Sequence, residues 1–189
     1  MTAVPLTPGI LTILMVTAVV VTVTDLRVNK IPNLVTFPMI LAGLVMNALP
    51  HELGVAAGDW RVGLYGFLAG LGILFLPFAL NLVKAGDVKY LAGVGALGGP
   101  ALALFTFLYG SIVHGLVCLV VLRRRGEVNE AFENIGYYFR NSFLALRAVD
   151  FSARSQGQVP YALGLALGLA TALVFWWTTG AVFPLWAGG

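Results

Sequence analysis

The sequence predicts an all-α, polytopic membrane protein with six transmembrane helices and a cytoplasmic amphipathic segment between the fifth and sixth. Three observations lead there. The 189 residues are 59% hydrophobic and only 10% charged, where a soluble domain carries about a quarter charged residues. The 11 Lys or Arg and 8 Asp or Glu are clustered, so that runs 1–24, 31–50, 62–83, 90–122 and 155–189 hold no charge. Uncharged apolar runs of about 18 residues or more read as membrane spans, and none of these runs alternates as barrel strands do. The apolar content excludes disorder, and the single cysteine, Cys118, excludes a disulfide framework. The cations lie beside the spans rather than on one soluble face, so no nucleic-acid partner is expected; the lipid bilayer is.

The elements follow in order. Residues 6–24 form the first span, with Pro5 and Pro8 near its start. It is expected to be retained, because a signal peptide needs a basic leading region and the first cation is Arg27. The second span, 34–49, is entered through Ile31-Pro32-Asn33, where proline suits a helix's first turn. The third is 62–83. The run 90–122 is too long for one crossing, at ~50 Å against a hydrocarbon core of ~30 Å. Gly98-Gly99-Pro100 breaks it into a short fourth span, 84–97, and a fifth, 100–122. The last span, 159–183, carries Trp176 and Trp177 in its outer half, with Trp186 beyond, as in an interfacial belt. Together residues 1–189 read as one membrane-embedded domain.

Charge tests the count of spans. With six, every cation but Arg61 falls on one side, in the segments 25–33, 81–89 and 123–158. The positive-inside rule makes that side cytoplasmic and puts both termini outside. In 123–158, Phe132, Ile135, Phe139, Leu146 and Val149 follow one helical stripe. Glu133, Arg140, Arg147 and Arg154 follow another, as in a helix lying on a membrane. A solvated connecting helix is the plainer alternative. Gly66/Gly70, Gly95/Gly99 and Gly164/Gly168 are small-xxx-small pairs that allow close helix packing, within one chain or between copies. The oligomeric state is therefore left unknown.

The acids carry the functional signal. Glu127, Glu130, Glu133 and Asp150 belong to the amphipathic segment, and Glu52 and Asp59 to an outer loop. Asp25 and Asp87 remain, each at the mouth of an apolar helix and both at one membrane depth. Two carboxylates within a few ångströms cannot easily both ionise and can share a proton. One then takes a proton from water while the other donates to the carbonyl under attack. Such chemistry requires no metal or other cofactor. The plainer readings stand beside it: Asp87 as a helix N-cap, and Asp25 paired with Arg27 or Lys30, since a helix C-terminus disfavours an anion. His114 reads as packing, and no metal-ligand cluster or phosphate loop is evident.

The residues around both aspartates resemble the type IV prepilin peptidases. The matches are Asp25-Leu26-Arg27 with Ile31-Pro32-Asn33, and Ala85-Gly86-Asp87-Val88-Lys89 with Gly95-Ala96 and Gly99-Pro100. Val159-Pro160-Tyr161-Ala162 is a third, weaker match. The resemblance implies a membrane aspartyl protease that removes the basic leader from prepilins or pseudopilins at the cytoplasmic face of the bacterial inner membrane. It implies that Asp25 and Asp87 are catalytic. Gly86, Lys89, Arg27 and Asn33 read as supporting residues, with snorkelling to headgroups the plainer reading of Lys89 and Arg27. The chain is similar to the short form associated with tight-adherence (Flp-type) pili. That form lacks the cysteine-paired zinc domain, which implies leader removal without N-methyltransferase activity. The family's second motif is usually Gly-x-Gly-Asp, and Lys84 stands here at its first glycine. Two other functions compete on the residues alone: a six-span proton-coupled transporter using the same acids as a relay, and a non-enzymatic scaffold subunit of a pilus or secretion machine.

Overall fold

A computed structural model describes residues 6–49, 59–80, 82–129 and 161–180. Among these the fold is all-helical: α1 (Pro8–Val28), α2 (Asn33–Ala48), α3 (Trp60–Ala79), α4 (Ala85–Arg125) and α5 (Tyr161–Thr179). α1, α3, α4 and α5 are each long and apolar enough to cross a membrane, and α2 is a shorter apolar helix. Most of the expected amphipathic segment, the loop carrying Glu52, the Val159-Pro160 step and Trp186 lie outside the described residues.

Local chemistry sets the helix ends. The Thr7 side chain accepts from the Ile10 N–H, with Pro8 in the first turn of α1. The expected first span stops at Thr24, but α1 runs on through Asp25 and Arg27 to Val28. Charge does not end it. Asn29 does, in the left-handed region at φ 53°, with its N–H on the Asp25 carbonyl. Along α1 the hydroxyls of Thr12, Thr17, Thr22 and Thr24 donate to carbonyls four residues back. A threonine in an apolar setting is thereby satisfied within its own helix. α3 is shorter than the expected 62–83: Pro77, which has no N–H to give, sits in its last turn, and the helix stops at Ala79.

α4 is a single 41-residue helical element, and its backbone leaves helical geometry at Gly99 (φ 83°, ψ 176°), just before Pro100. The break expected at Gly98-Gly99-Pro100 thus falls where glycine alone tolerates the dihedrals and proline withdraws a donor. The arm before it is the axis of the bundle. Tyr90, Leu91, Ala92, Val94, Ala96 and Leu97 are fully buried. A helix apolar all round and covered on all sides needs neighbours at close range, and glycines provide them. A methyl on Gly66 would meet the Gly95 carbonyl, and one on Gly43 would lie 2.6 Å from the Ala96 carbonyl carbon. Beyond the kink, Gly168 of α5 packs on the backbone of Thr106 and Gly110. Gly66, Gly95, Gly164 and Gly168 therefore serve packing inside one chain. Outward, Met15, Val19, Leu41, Phe75, Ile112, Leu116, Val174 and Trp177 are exposed, a surface suited to acyl chains.

The kink leaves an acceptor to satisfy. Pro100 cannot donate to the Ala96 carbonyl, and the buried Asn47 amide of α2 does so at 2.9 Å. The same nitrogen lies 3.0 Å from the Gly43 carbonyl and 3.3 Å from that of Leu97. Asn47 thus closes the C-terminal end of the buried arm from a neighbouring helix. Asn47→Leu should lower stability by about 1–2 kcal/mol, seen as a lower denaturation midpoint in detergent micelles. An unchanged midpoint would mean that these carbonyls find other donors.

Candidate active site

Asp25 lies in the last turn of α1 and Asp87 in the first turn of α4, each only 2% exposed. Both acids flank Lys84: Asp25 Oδ1 lies 3.8 Å from its ammonium and Asp87 Oδ2 lies 3.2 Å from its main-chain nitrogen. The last turn of α1 and the first turn of α4 thus meet at one end of the bundle, on either side of one residue.

Each acid has its own donors. Asp87 Oδ2 accepts the main-chain N–H of Lys84 at 3.2 Å, as the third residue of a helix does when it reaches back to the cap position. Asp87 is therefore a capping residue as well as a member of the pair. Asp25 Oδ2 accepts the Ala162 N–H of α5 at 3.4 Å. That N–H is in the first turn of its helix, where it has no partner within the helix and carries the positive end of the dipole. The C-terminal turn of α1 disfavours an anion, and the N-terminal turn of α5 offsets it. Asp25 Oδ1 is 3.8 Å from the Lys84 ammonium, which also donates to the Asn29 carbonyl at 2.9 Å. The plainer reading, Asp25 paired with Arg27 or Lys30, gives way to this cation from the α3–α4 connection.

The supporting residues divide. Gly86 is needed for close approach: a Cβ there would sit 2.9 Å from the Ile31 Cβ, so the α1–α2 connection packs on the start of α4. Lys89 donates to the Asn33 side-chain oxygen at 2.9 Å and lies 5.0 Å from the centre of the Phe37 ring. Lys89 and Asn33 therefore join α4 to the start of α2. Arg27 is exposed in the last turn of α1, where a cation complements the helix dipole. Sequence reasoning missed two members, the Ala162 N–H and Lys84. The Val159-Pro160-Tyr161-Ala162 match was the only signal for the first, and the second was visible only as a departure from a motif. Tyr161, next to Ala162, fixes the start of α5 on α4: its hydroxyl is 3.1 Å from Ser111 Oγ and its ring packs edge-on against His114. Among the described residues no three His, Cys, Asp or Glu side chains cluster as a metal site would require.

Buried carboxylates on two helix ends of an apolar bundle define a membrane protein with a paired-acid site. Comparison with known families matches residues 12–119 to the type IV leader peptidase family. The match covers more than half of the chain and includes both aspartates, and the chain belongs to that family. It is a leader-peptidase-like protease with transmembrane character. Neither the curated proteins nor the solved structures gave a match.

The Gly86 contact yields a test. Gly86→Ala should destabilise the protein by about 1–3 kcal/mol, the usual effect of overpacking. Ile31→Gly removes the opposing Cβ, so the double variant should lose less than the sum of the two single losses. Thermal unfolding in micelles measures all three, and strictly additive losses would contradict the contact.

Proposed function

We propose that the chain is an intramembrane aspartyl endopeptidase that removes the basic leader from type IV or Flp-type prepilins at the cytoplasmic face of the bacterial inner membrane. One observation carries the reading: two buried aspartates from different helices flank one lysine, and both lie within the stretch that the family match covers. In this reading the pair holds one proton. Asp25, which receives the Ala162 N–H and faces the Lys84 ammonium, carries the negative charge. Asp87 carries the proton.

The chemistry then balances. Asp25 takes a proton from a water molecule as the water oxygen adds to the scissile carbonyl carbon, and Asp87 gives its proton to the carbonyl oxygen. The resulting diol collapses. The C–N bond breaks, the leaving amine takes the proton from Asp25, and a diol hydroxyl returns its proton to Asp87. Both acids recover their starting state. This is peptidase chemistry alone. No N-methyltransferase activity is assigned, since one cysteine cannot build a paired-cysteine zinc site in this chain.

The topology belongs to the same proposal. Six spans, with α4 counted as two across Gly99, put the pair and every cation but Arg61 on the cytoplasmic side and both termini outside. A single domain, 1–189, holds the whole site. Both acids sit in end turns at one face, which suits cutting a segment that emerges from the bilayer better than a relay through its midplane.

Two experiments test this. Co-expression with a candidate prepilin should shorten it by its leader, seen as a gel shift. Asp25→Asn and Asp87→Asn should each lower the rate by at least about 100-fold, the contribution of a positioned acid or base. A variant that cuts normally, or a wild type that cuts nothing, would defeat the reading in favour of a scaffold or carrier. For topology, Glu127→Cys in a Cys118→Ser background should react with an impermeant maleimide only from the cytoplasmic side. Glu52→Cys should react only from the outside, and the reverse pattern would overturn the orientation.

A further inference from the structure

Lys84 stands where the family motif usually has glycine, and the site is arranged around it. It makes three contacts to groups that matter. Its main-chain N–H holds Asp87 Oδ2 at 3.2 Å. Its ammonium donates to the Asn29 carbonyl at 2.9 Å and lies 3.8 Å from Asp25 Oδ1. The Asn29 carbonyl is presented by a left-handed turn (φ 53°), and among the described residues Asn29 is the only non-glycine with positive φ. Asparagine commonly caps a helix in this conformation. Here it ends α1 one turn after Asp25 and gives the lysine its acceptor.

We propose that Lys84 is a positioning residue of the active site, a strap whose main chain anchors Asp87 while its ammonium, seated on the Asn29 carbonyl, supplies a cation at Asp25. This inference rests on the peptidase reading above. One residue thereby sets the spacing of two acids that belong to helices far apart in sequence, and offsets part of their shared negative charge. The departure from the motif is a working part of this chain's site rather than a defect. The Lys84 side chain is 48% exposed, so solvent screens the ion pair and its share in rate is modest.

The test replaces the ammonium and then restores it. In a Cys118→Ser background, Lys84→Cys should lower kcat about three- to fivefold with KM little changed, the size expected of an exposed pair. Alkylation of the introduced thiol by 2-bromoethylamine, in which the thiolate displaces bromide and leaves an S-aminoethyl ammonium, should restore the rate. Iodoacetamide, which adds an uncharged group, should not. Lys84→Arg should retain most activity, whereas Lys84→Gly, which restores the usual motif, should be slowed like Lys84→Cys. Full rates in Lys84→Gly or Lys84→Cys, or equal rescue by both reagents, would overturn the proposal.

A second measurement does not depend on cleavage. In the Cys118→Ser background, spin labels on Val28→Cys and Leu82→Cys, both exposed positions, report the distance between the end of α1 and the α3–α4 connection. Adding Lys84→Met should broaden that distance distribution, and an unchanged distribution would overturn the strap. A wild type that cuts no prepilin would sink the peptidase reading, and the spin-label pair would still decide the strap.

Discussion

Burying two carboxylates side by side in an apolar bundle costs several kcal/mol for each charge unless donors meet it, and the helices of this chain are placed to meet that cost. α5 aims the N–H of Ala162 at Asp25. The α3–α4 connection brings the Lys84 N–H to Asp87 and the Lys84 ammonium towards Asp25. Removing α5 or that connection would leave an acid buried without compensation. The rest of the architecture follows from holding these pieces within a few ångströms of one another.

That closeness is a backbone property. α4 enters the bundle buried on all sides, and α2 and α3 reach it only because glycines bring main chain against main chain. The kink at Gly99 ends the buried arm, and the Asn47 amide answers the carbonyl that Pro100 leaves without a donor. A bulkier seam would push α4 outward and carry Asp87 away from Asp25. Stability and the site geometry therefore share one set of small residues, and volume added at the seam is felt at the acids.

Much of this was legible in the sequence because charge is scarce. Uncharged runs located the apolar helices, and sorting eight acids left Asp25 and Asp87 without an equally good plain home. Gly98-Gly99-Pro100 marked the kink by local chemistry alone. What stayed hidden was every contact made across the chain. The helix dipole argued against Asp25 because the opposing dipole of α5 begins more than a hundred residues later. Lys84 registered as a missing glycine because its partners, Asn29 and Asp25, lie on another helix end. Lys89 stood beside Asp87 in sequence yet bonds Asn33. Asn47 carried no signal, since one amide in an apolar helix does not reveal which carbonyl it serves.

The central claim is that the pair activates a water directly, with no bond forming between substrate and enzyme. A single turnover in H2¹⁸O, with enzyme in excess over prepilin, tests this most directly. Direct attack by water places one ¹⁸O in the new carboxylate of the released leader and none in the protein. An unlabelled leader, with ¹⁸O in the carboxylate of Asp25 or Asp87, would show an acyl-enzyme route and contradict the account.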